Sequence, residues 1–503
     1  MNLRAIVWLL GCVALLMAAF LALPALLALA LGDAQSARAF ALSSAGSAAV
    51  GALLWWRFRG SIRTRDGRVD FHRREGLATV GLVWLVCTAL GALPFVVSGF
   101  MRSPVDALFE SASGFTTTGA SILSPARIDQ LPAALAFWRA LTHWVGGIGI
   151  VLVFVVLFPV GGRSLFRSEV VGVSREASLQ RVRDSALAVV RVYVALTVLH
   201  VVALLFAGVS LLDAVMHAFS SLATGGFSNH GASVAWFSSW AVEAIIIVFM
   251  IAAGMNFSLW DAVVRLGPRR AWALARANSE LWLYLGLIAG ATLFCTLVLW
   301  LWGGSNGDPA SNLPDYSHIL TAFRDASFSV SSIQTCTGYA TADFDRWPDA
   351  CRFALMLCVF FGACTGSTGG GIKILRVAIL AKAALAAVLG FSRPRALHPV
   401  RVDGAVLGDD VVAASTRYFA LWILVALGGA LCLATLGSDL ETALSAAVVC
   451  LNNCGPGLAS VGPAADYGHL PDLSKLLLAF LMIAGRLEFY AVAVLFVPGF
   501  WRR

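Results

Sequence analysis

The segment Gly114-Phe115-Thr116-Thr117-Thr118-Gly119-Ala120 decides the fold of this chain, because three related segments follow it. They read Ala223-Thr224-Gly225-Gly226-Phe227, Thr335-Cys336-Thr337-Gly338-Tyr339 and Asn452-Asn453-Cys454-Gly455-Pro456. The glycines at 119, 226, 338 and 455 are separated by 107, 112 and 117 residues. The apolar segment before each turn is shorter than the roughly 20 residues that cross a bilayer. This period predicts four copies of one unit, in which a long helix, a short re-entrant helix with its glycine turn and a second long helix follow each other.

Two further positions recur with the same period. An acidic residue lies thirteen or fourteen residues before each turn glycine, at Asp106, Asp213, Asp325 and Glu441. We predict that these acids begin the short helices, because a negative side chain is favourable at the positive end of a helix dipole. A second glycine follows 24 to 30 residues after the first, at Gly147, Gly254, Gly362 and Gly485. We place the four units at 75–160, 183–266, 278–390 and 410–500, with an extra helix pair at 1–60.

The composition is that of a polytopic membrane protein. Hydrophobic residues make up 59% of the 503 residues and charged residues only 13%, whereas soluble domains average about 45–50% and about 25%. Soluble, disordered and collagen-like folds are excluded. The ten cysteines show neither a Cys-x-x-Cys pair nor zinc spacing, which excludes a disulfide scaffold. We predict an all-α fold with about ten transmembrane helices, in apolar runs at 5–31, 39–58, 76–100, 133–159, 186–210, 235–264, 280–303, 350–388, 411–437 and 473–500.

The distribution of charge indicates the orientation in the membrane. The net charge is +8, and the Lys and Arg residues concentrate in alternate loops at 57–74, 163–183, 265–276 and 373–401. By the positive-inside rule, both termini are cytoplasmic and the number of spans is even. This assigns the basic excess to inner loops, so we expect no nucleic-acid partner. The first apolar run, of about 27 residues, exceeds the 7–15 of a signal-peptide core and is interpreted as a retained helix.

The repeated turns favour a cation path. Non-helical backbone at membrane depth is tolerated where it is buried or lines a water-filled path. A short helix that enters from outside directs the negative end of its dipole toward a shared axis, and the following turn can present carbonyl oxygens to an ion. Glycine suits such a turn because aligned carbonyls often require a positive φ. The alternative is that these Thr and Gly clusters only bring helices close together.

The turn segments and their spacing resemble the Trk/Ktr/HKT superfamily of potassium transporters. So does the string Gly362-Ala363-Cys364-Thr365-Gly366-Ser367-Thr368-Gly369-Gly370-Gly371-Ile372-Lys373. The bacterial TrkH/TrkG branch is the most similar, because it also carries an extra N-terminal helix pair. Other matching strings lie at 106–110, 137–139, 256–259 and 485–488. The resemblance covers essentially the whole chain. The matching strings, taken together, are specific to this superfamily.

The resemblance implies a potassium-conducting pore with one filter strand from each unit. The filter residues it implies are Thr116, Thr117, Thr118 and Gly119; Ala223, Thr224, Gly225 and Gly226; Thr335, Cys336, Thr337 and Gly338; and Asn452, Asn453, Cys454 and Gly455. In plant relatives a serine at the position of Gly119 goes with sodium permeation, so Gly119 favours potassium. Cys336 replaces a usual Thr, and Cys454 a usual aliphatic residue. Both changes should be mild if carbonyls bind the ion, and Cys336 could offer a metal-sensitive thiol.

A glycine-rich stretch interrupts one apolar run. Residues 362–371 contain five glycines, one serine and two threonines, and each glycine in a helix costs about 1 kcal/mol relative to alanine. We therefore predict an unwound loop inside the membrane, below the filter. The resemblance implies that it is a gate, formed by Gly366, Ser367, Thr368, Gly369, Gly370 and Gly371. A phosphate-binding loop is the alternative, but no Gly-Lys-Ser/Thr follows, so no nucleotide site is expected in this chain.

Arg486 is a charged residue in the last apolar run, about mid-way through the predicted span. A central arginine costs at least about 2.5–3.5 kcal/mol on insertion scales, so it must face protein or water. The resemblance implies that it projects into the cavity below the filter as an electrostatic barrier. A structural ion pair with an acid on another helix is the alternative, and Glu488 lies on a different helical face. We interpret His143, His200 and His217 as buried core residues.

The function implied is potassium uptake across the bacterial cytoplasmic membrane, with K⁺ as the transported ion. The resemblance further implies a homodimer and a separate cytoplasmic nucleotide-binding regulatory subunit of TrkA type, for which the basic inner loops offer a docking surface. No catalytic motif predicts an enzyme. Two alternatives remain at this stage: a sodium-permeable or sodium-coupled transporter of Ktr or HKT type, and a membrane enzyme or assembly factor that uses the glycine turns for packing only.

Overall fold

The structure, a computed structural model, describes residues 2–59, 73–157, 179–306, 314–392, 398–487 and 489–501. As the composition predicts, it is almost entirely helical. The helices are α1 (Leu3–Ala30), α2 (Ala34–Phe58), α3 (Arg73–Val97), α4 (Pro104–Phe115), α5 (Pro125–Asp129), α6 (Ala133–Leu157), α7 (Leu179–Phe206), α8 (Leu211–Leu222), α9 (Trp240–Gly254), α10 (Phe257–Leu266), α11 (Pro268–Ala277), α12 (Ser279–Asn306), α13 (Ile319–Gln334), α14 (Asp349–Phe361), α15 (Ile374–Ser392), α16 (Asp409–Thr435), α17 (Leu440–Leu451), α18 (Asp472–Arg486), α19 (Tyr490–Ala493) and α20 (Pro498–Trp501).

Short elements connect these helices. Single 3₁₀ turns lie at Ser233–Phe237, Phe344–Arg346, Ala459–Val461 and Val494–Phe496. One antiparallel hairpin pairs β1 (Arg401–Val402) with β2 (Ala405–Val406), with Arg401 opposite Val406. Most of the predicted basic loops at 57–74 and 163–183, together with Glu488, lie outside the described residues.

The N-terminal helices α1 and α2 form a tightly packed pair. Asp33 caps α2 by accepting a 3.0 Å hydrogen bond from the Ser36 N–H. A methyl group added to Gly51 would lie 2.8 Å from the Leu15 backbone nitrogen, and one added to Gly11 would lie 2.9 Å from Leu54 Cβ. The two backbones can therefore approach only because these residues are glycines. The pair packs through α1 against α3 and α6.

Four short helices, α4, α8, α13 and α17, each stand between two longer segments. Three of them have 12 residues and α13 has 16. At 1.5 Å per residue, a 12-residue helix reaches about 18 Å, which does not cross a bilayer core of about 30 Å. Ser103, Ser210 and Asp439 cap α4, α8 and α17, because their side chains accept a backbone N–H of the first turn. These three caps therefore start α4, α8 and α17 where the period predicts them.

The acidic positions confirm the predicted helix starts in three units and contradict it in one. Asp106, Asp213 and Glu441 lie in the first turns of α4, α8 and α17. Asp325 does not begin α13, which already starts at Ile319. This longer helix places Asp325 inside it, where the carboxylate is buried and accepts a 3.1 Å hydrogen bond from the Tyr316 hydroxyl.

Within the described residues, seven helices are long and apolar enough to cross a membrane, or eight if one bent pair is a single span. Helix α6, of 25 residues, follows the predicted run at 133–159. The runs at 235–264, 350–388 and 473–500 are not continuous helices. The first bends by 94° between α9 and α10, the second unwinds between Phe361 and Ile374, and the third breaks after Arg486. The long apolar runs thus overstate the number of straight helices.

Candidate functional site

The four short helices end in the same backbone turn. We call these segments turn 1 (116–119), turn 2 (223–226), turn 3 (335–338) and turn 4 (452–455). The second residue of each turn has a positive φ although none is glycine: 55° at Thr117, 54° at Thr224, 59° at Cys336 and 54° at Asn453. The N–H of the third residue donates to the carbonyl five residues earlier, over 2.8 to 2.9 Å in all four turns. The turn is therefore a backbone motif that tolerates several side chains.

The four turns form a closed ring. A methyl group added to the last glycine of turn 1 would collide with the carbonyl of Gly225, and one added to Gly226 would collide with the carbonyl of Thr337. A methyl on Gly338 would lie 3.2 Å from the Gly455 backbone nitrogen, and one on Gly455 would lie 2.7 Å from the carbonyl carbon of Gly119. Each turn thus touches the next, and the fourth touches the first. The glycines are required by this close approach.

Three of the turn glycines also need their backbone freedom. The φ angles are 81° at Gly119, 78° at Gly226 and 85° at Gly338, a region that other residues rarely adopt. Gly455 is the exception and has no positive φ. The reason is the following residue, Pro456, because a proline forces the preceding residue toward extended conformations.

Most carbonyl oxygens of the ring accept no hydrogen bond from any residue that the structure describes. The exceptions are Ala223, which accepts from the Thr224 hydroxyl at 2.6 Å, and Gly455, which accepts from the Tyr467 hydroxyl at 2.8 Å. Threonine hydroxyls instead bond to each other, as between Thr335 and Thr337 at 2.7 Å. Buried carbonyls normally have a partner. The ring therefore holds acceptors that are free to bind a cation.

One side of the ring faces a cavity. All four turn glycines line it, together with Ser228, His230 and Tyr467 from the loops that follow the turns. Behind turns 1 and 2 lies a buried ion pair in which Arg139 Nε donates to Glu110 Oε1 at 2.8 Å.

Three of the four predicted downstream glycines lie against ring residues or against the end of the helix before them. Gly147 lies against Ala223, Gly254 against Thr335 and Gly485 against the Leu451 carbonyl.

The opposite side of the ring is covered by the unwound segment between α14 and α15, which we call the inner loop (362–373). A methyl group added to Gly369 would lie 3.1 Å from the Thr335 carbonyl oxygen, and one added to Gly370 would collide with the Asn452 carbonyl. The Thr368 hydroxyl donates to the Leu222 carbonyl at 2.9 Å. The inner loop therefore contacts the inner ends of turns 3 and 4 and the end of the helix before turn 2.

The bend between α9 and α10 holds the inner loop from the side. The Cys364 N–H donates to the Gly254 carbonyl at 3.0 Å, and the Phe257 N–H donates to the Gly366 carbonyl at 3.1 Å. Asn256, between these residues, caps α10 by accepting the Ser258 N–H at 2.8 Å. Because the helix breaks between α9 and α10, backbone N–H and C=O groups at the bend are not used within a helix. They bond instead to the inner loop, which is itself not helical.

Arg486 lies beside the inner loop. The structure places it at the C-terminal end of α18 and not mid-way through a span, because the helix ends there. Its guanidinium donates to the Thr368 carbonyl at 2.8 Å and to the Gly146 carbonyl at 3.3 Å. Gly146 in turn packs on the carbonyl of Phe115, the last residue before turn 1. Arg486 therefore connects the inner loop to the side of the ring that the loop itself does not reach.

Comparison with known proteins identifies the family of this chain. Residues 36–502 match the sequence profile of TrkH, described as a cation transport protein. The chain belongs to the TrkH family. It is 34% identical over 510 residues to the Trk system potassium uptake protein TrkH of Salmonella typhimurium, covering 100% of both chains. It is 31% identical over 444 residues to TrkG of Escherichia coli, covering 87% of this chain and 88% of TrkG.

A solved structure has the same fold. The crystal structure of the potassium transporter TrkH from Vibrio parahaemolyticus superimposes with a TM-score of 0.86 at 31% identity, covering 100% of both chains. This confirms the predicted resemblance to the TrkH/TrkG branch and the prediction of a polytopic helical membrane protein. The relatives of this TrkH-family chain are named as transport proteins, not as enzymes.

Sequence reasoning missed several contacts in this TrkH-family site. Glu110 and Arg139 were noted only as parts of matching strings, although a charged residue in an apolar segment is itself a signal for a buried partner. The amide of Asn453 donates to the Thr118 hydroxyl at 3.1 Å and so links turns 4 and 1. No sequence pattern indicates this contact across 335 residues. The three predicted core histidines are buried, and His143 stacks on Phe227 with ring centroids 4.2 Å apart.

Proposed function

We propose that this chain conducts potassium into the bacterial cell through the ring of turns 1 to 4. The observation that carries the proposal is the closed four-fold contact of turns whose carbonyl oxygens are largely unpartnered within the described residues. Such a ring can replace the hydration shell of a cation with backbone oxygens. The relatives of this chain that are named as Trk system potassium uptake proteins support potassium as the ion.

The electrostatics of the ring favour a monovalent cation. Each of the four short helices ends at the ring, so four negative helix-dipole ends converge there, each equivalent to about half an elementary charge. No carboxylate lies within turns 1 to 4. Dipoles without a formal negative charge attract a cation yet allow it to leave, which conduction requires. Gly119 in place of a serine supports potassium over sodium.

The inner loop and Arg486 are proposed as the gate. They lie directly under the ring in this structure, with Thr368 contacted by both the Leu222 carbonyl and the Arg486 guanidinium. A positive guanidinium on the inner side would raise the energy of a passing cation. Opening then requires the Thr368 hydrogen bonds to break, so that the inner loop moves away from turns 3 and 4. Hydrogen bonds of this kind are individually worth about 1 kcal/mol, which suits a switch.

We further propose that both termini are cytoplasmic, that the chain lies in the bacterial cytoplasmic membrane as a homodimer, and that a nucleotide-binding regulatory subunit acts on it from inside. Helices α10 and α11 support the docking of such a subunit. They carry a group of exposed basic side chains at Arg265, Arg269, Arg270 and Arg276. Helix α10 directly follows the bend that holds the inner loop, so a force on this basic surface can reach the gate.

The test is rescue of a bacterium that lacks its own potassium uptake systems, with and without a co-expressed regulatory subunit. Growth at low potassium is expected for the unchanged chain and not for Gly338→Ser, whose side chain would meet Gly455 and Pro456. Gly290→Ser is the matched control, because Gly290 lies in α12 with no atom within 4 Å of an added methyl. Equal growth of Gly338→Ser, or sodium flux without potassium flux in vesicles, would contradict the proposal.

A further inference from the structure

Turn 2 lacks the side chains that support two of the other turns. In turns 1 and 3 the first and third residues are threonines, and their hydroxyls form hydrogen bonds with each other at 2.8 Å and 2.7 Å. In turn 2 the same two positions hold Ala223 and Gly225, which have no hydroxyl. Turn 2 nevertheless has the same backbone, with a φ of 54° at Thr224 and a 2.8 Å hydrogen bond from the Gly225 N–H. A group from outside the turn must therefore support it.

The imidazole of His143 lies where the side chain of the third residue would be. A methyl group added to Gly225 would lie 2.3 Å from Nδ1, 2.5 Å from Cγ and 2.6 Å from Cε1 of His143. Close-packed interiors do not accommodate such overlap. Gly225 is not among the residues with a positive φ, so its backbone conformation is open to other residues. The ring of His143 is therefore what requires a glycine at this position.

His143 contacts the chain before, within and after turn 2. Its Nδ1 forms a 3.3 Å hydrogen bond with the hydroxyl of Ser220, near the end of α8. Ser220 is also the residue whose carbonyl accepts the Gly225 N–H. Beyond the turn, the imidazole stacks on Phe227 with ring centroids 4.2 Å apart and 14° between the planes. The side chain of His143 is completely buried, so these contacts fix its position.

The carbonyl of Gly225 belongs to the seam between turns 2 and 1. A methyl group added to Gly119 would lie only 1.9 Å from this oxygen. Within the described residues, the Gly225 carbonyl accepts no hydrogen bond, so the packing behind it decides where it points. The position and freedom of such oxygens govern which cation they can accept in place of water. His143, on α6, therefore acts on a ring carbonyl from a different part of the chain.

We propose that His143 is a positioning residue for cation selection. Its imidazole takes the place of the missing threonine pair and holds the Gly225 carbonyl at the seam between turns 2 and 1. The effect on selection rests on the proposed function, because it requires that cations pass through the ring. The support of turn 2 does not, because it follows from the contacts of His143 alone.

The first test measures this support without any ion flux, as the thermal midpoint of the purified full chain in detergent. Gly225→Ala should lower the midpoint because the added methyl collides with the imidazole. His143→Ala should lower it because a cavity is left behind turn 2. In the double variant the collision is absent, so the loss should be clearly smaller than the sum of the two single losses. Additive losses would overturn the proposed support.

The second test measures the sodium-to-potassium flux ratio in vesicles. His143→Ala should raise the ratio at least about threefold, and Gly225→Ala, which disturbs the same contact from the other side, should also raise it. His200→Ala is the matched control, because His200 is equally buried and stacks on Phe249 with centroids 4.2 Å apart. It should lower the thermal midpoint and leave the ratio unchanged. An unchanged ratio in whichever of the His143 and Gly225 variants folds, or an equal rise in His200→Ala, overturns the proposal.

A triple variant restores the threonine pair in turn 2. Ala223→Thr and Gly225→Thr, combined with His143→Ala, remove the imidazole and supply the two hydroxyls that turns 1 and 3 possess. The flux ratio should return to within about twofold of the unchanged chain, which a purely structural role of His143 does not predict. A ratio as high as in His143→Ala would contradict the replacement. If the unchanged chain shows no cation flux at all, the proposed function fails, while the thermal midpoints still decide whether His143 supports turn 2.

Discussion

The guanidinium of Arg139 and the carboxylate of Glu110 form an ion pair of 2.8 Å whose side chains are only 2% and 0% exposed. Glu110 also accepts the Ile122 N–H at 3.1 Å, and Arg139 donates to the Ser228 carbonyl at 3.1 Å. The guanidinium further lies 4.0 Å from the ring centroid of Phe227. The pair therefore connects the chain just outside turn 1 to the chain just outside turn 2.

Removing one partner of this pair should destabilise the protein strongly. Glu110→Gln leaves a buried guanidinium without its counter-charge, which costs about 3–5 kcal/mol. The thermal midpoint in detergent should fall clearly, and the double change Glu110→Gln with Arg139→Met should cost less than the sum of the two single changes. Asp261→Asn removes the partly exposed partner of the exposed Arg265 and should change stability by less than about 1 kcal/mol. Additive single changes would show that the two residues act independently.

Gly119→Ser should weaken discrimination between potassium and sodium. Its side chain would collide with the Gly225 carbonyl, and a non-glycine residue at a φ of 81° is strained by about 1–2 kcal/mol. Because turn 1 must then move away from turn 2, we expect the sodium-to-potassium flux ratio in vesicles to rise by up to about tenfold. The control is Gly290→Ser in α12. An unchanged ratio in folded protein would contradict a role of this ring in selection.

Arg486→Ala should raise potassium flux several-fold. The change removes a positive charge from the inner side of the ring and the hydrogen bonds to Thr368 and Gly146. Arg417→Ala is a suitable control, because Arg417 is exposed on α16 and donates to the Ala413 carbonyl of its own helix. Uptake of a potassium tracer per mole of protein in vesicles measures the effect. Unchanged or lower flux at normal abundance would favour a structural role for Arg486.

Thr368→Val should loosen the inner loop without changing its bulk. The hydroxyl donates to the Leu222 carbonyl at 2.9 Å, and the Ala253 carbonyl at 3.3 Å is a second acceptor for the same proton. Such a hydrogen bond is worth about 0.5–1.5 kcal/mol. We expect flux to rise by a factor of about two to ten. This increase is smaller than the one expected from a complete loss of the gate. Thr416→Val, on the exposed face of α16, should leave tracer uptake unaltered. A fall in flux would indicate that the hydroxyl instead serves the open path.

The loop after turn 2 should make stability depend on pH. His230 stacks on Trp236 with centroids 3.7 Å apart. Burial lowers the pKa of His230 below 6.5, although the Asp213 and Asp129 carboxylates act in the opposite direction. The unfolded chain therefore takes up this proton at a higher pH than the folded chain.

As a result, the free energy of unfolding should fall as the pH is lowered through about 6.5, until the folded histidine is also protonated. The thermal midpoint should decrease between about pH 7.5 and about pH 5.5, and it should decrease less in His230→Phe, which keeps a ring beside Trp236. Equal decreases in both proteins would assign the pH dependence to other groups.

Local sequence patterns predicted the repeated elements because short-range chemistry decides them. The caps at Ser103, Ser210 and Asp439 start helices through hydrogen bonds that span three residues. The unwound inner loop could be predicted because five glycines in ten residues oppose a helix. The bend at Asn256 carries no such glycine run. Its backbone groups bond to residues more than a hundred positions away, so no local pattern reveals it.

The sequence by itself determined that the chain is a helical membrane protein with four equivalent helix–turn units, since apolar length and glycine spacing act locally. Only the tertiary structure decided what those units form. The contact of Gly455 with Gly119, the bond from Asn453 to Thr118, and the position of Arg486 beside Thr368 each join distant parts of the chain. The physical reason is that a closed ring depends on the packing of all four units at once, and each turn is shaped by a neighbour that lies about a hundred or more residues away.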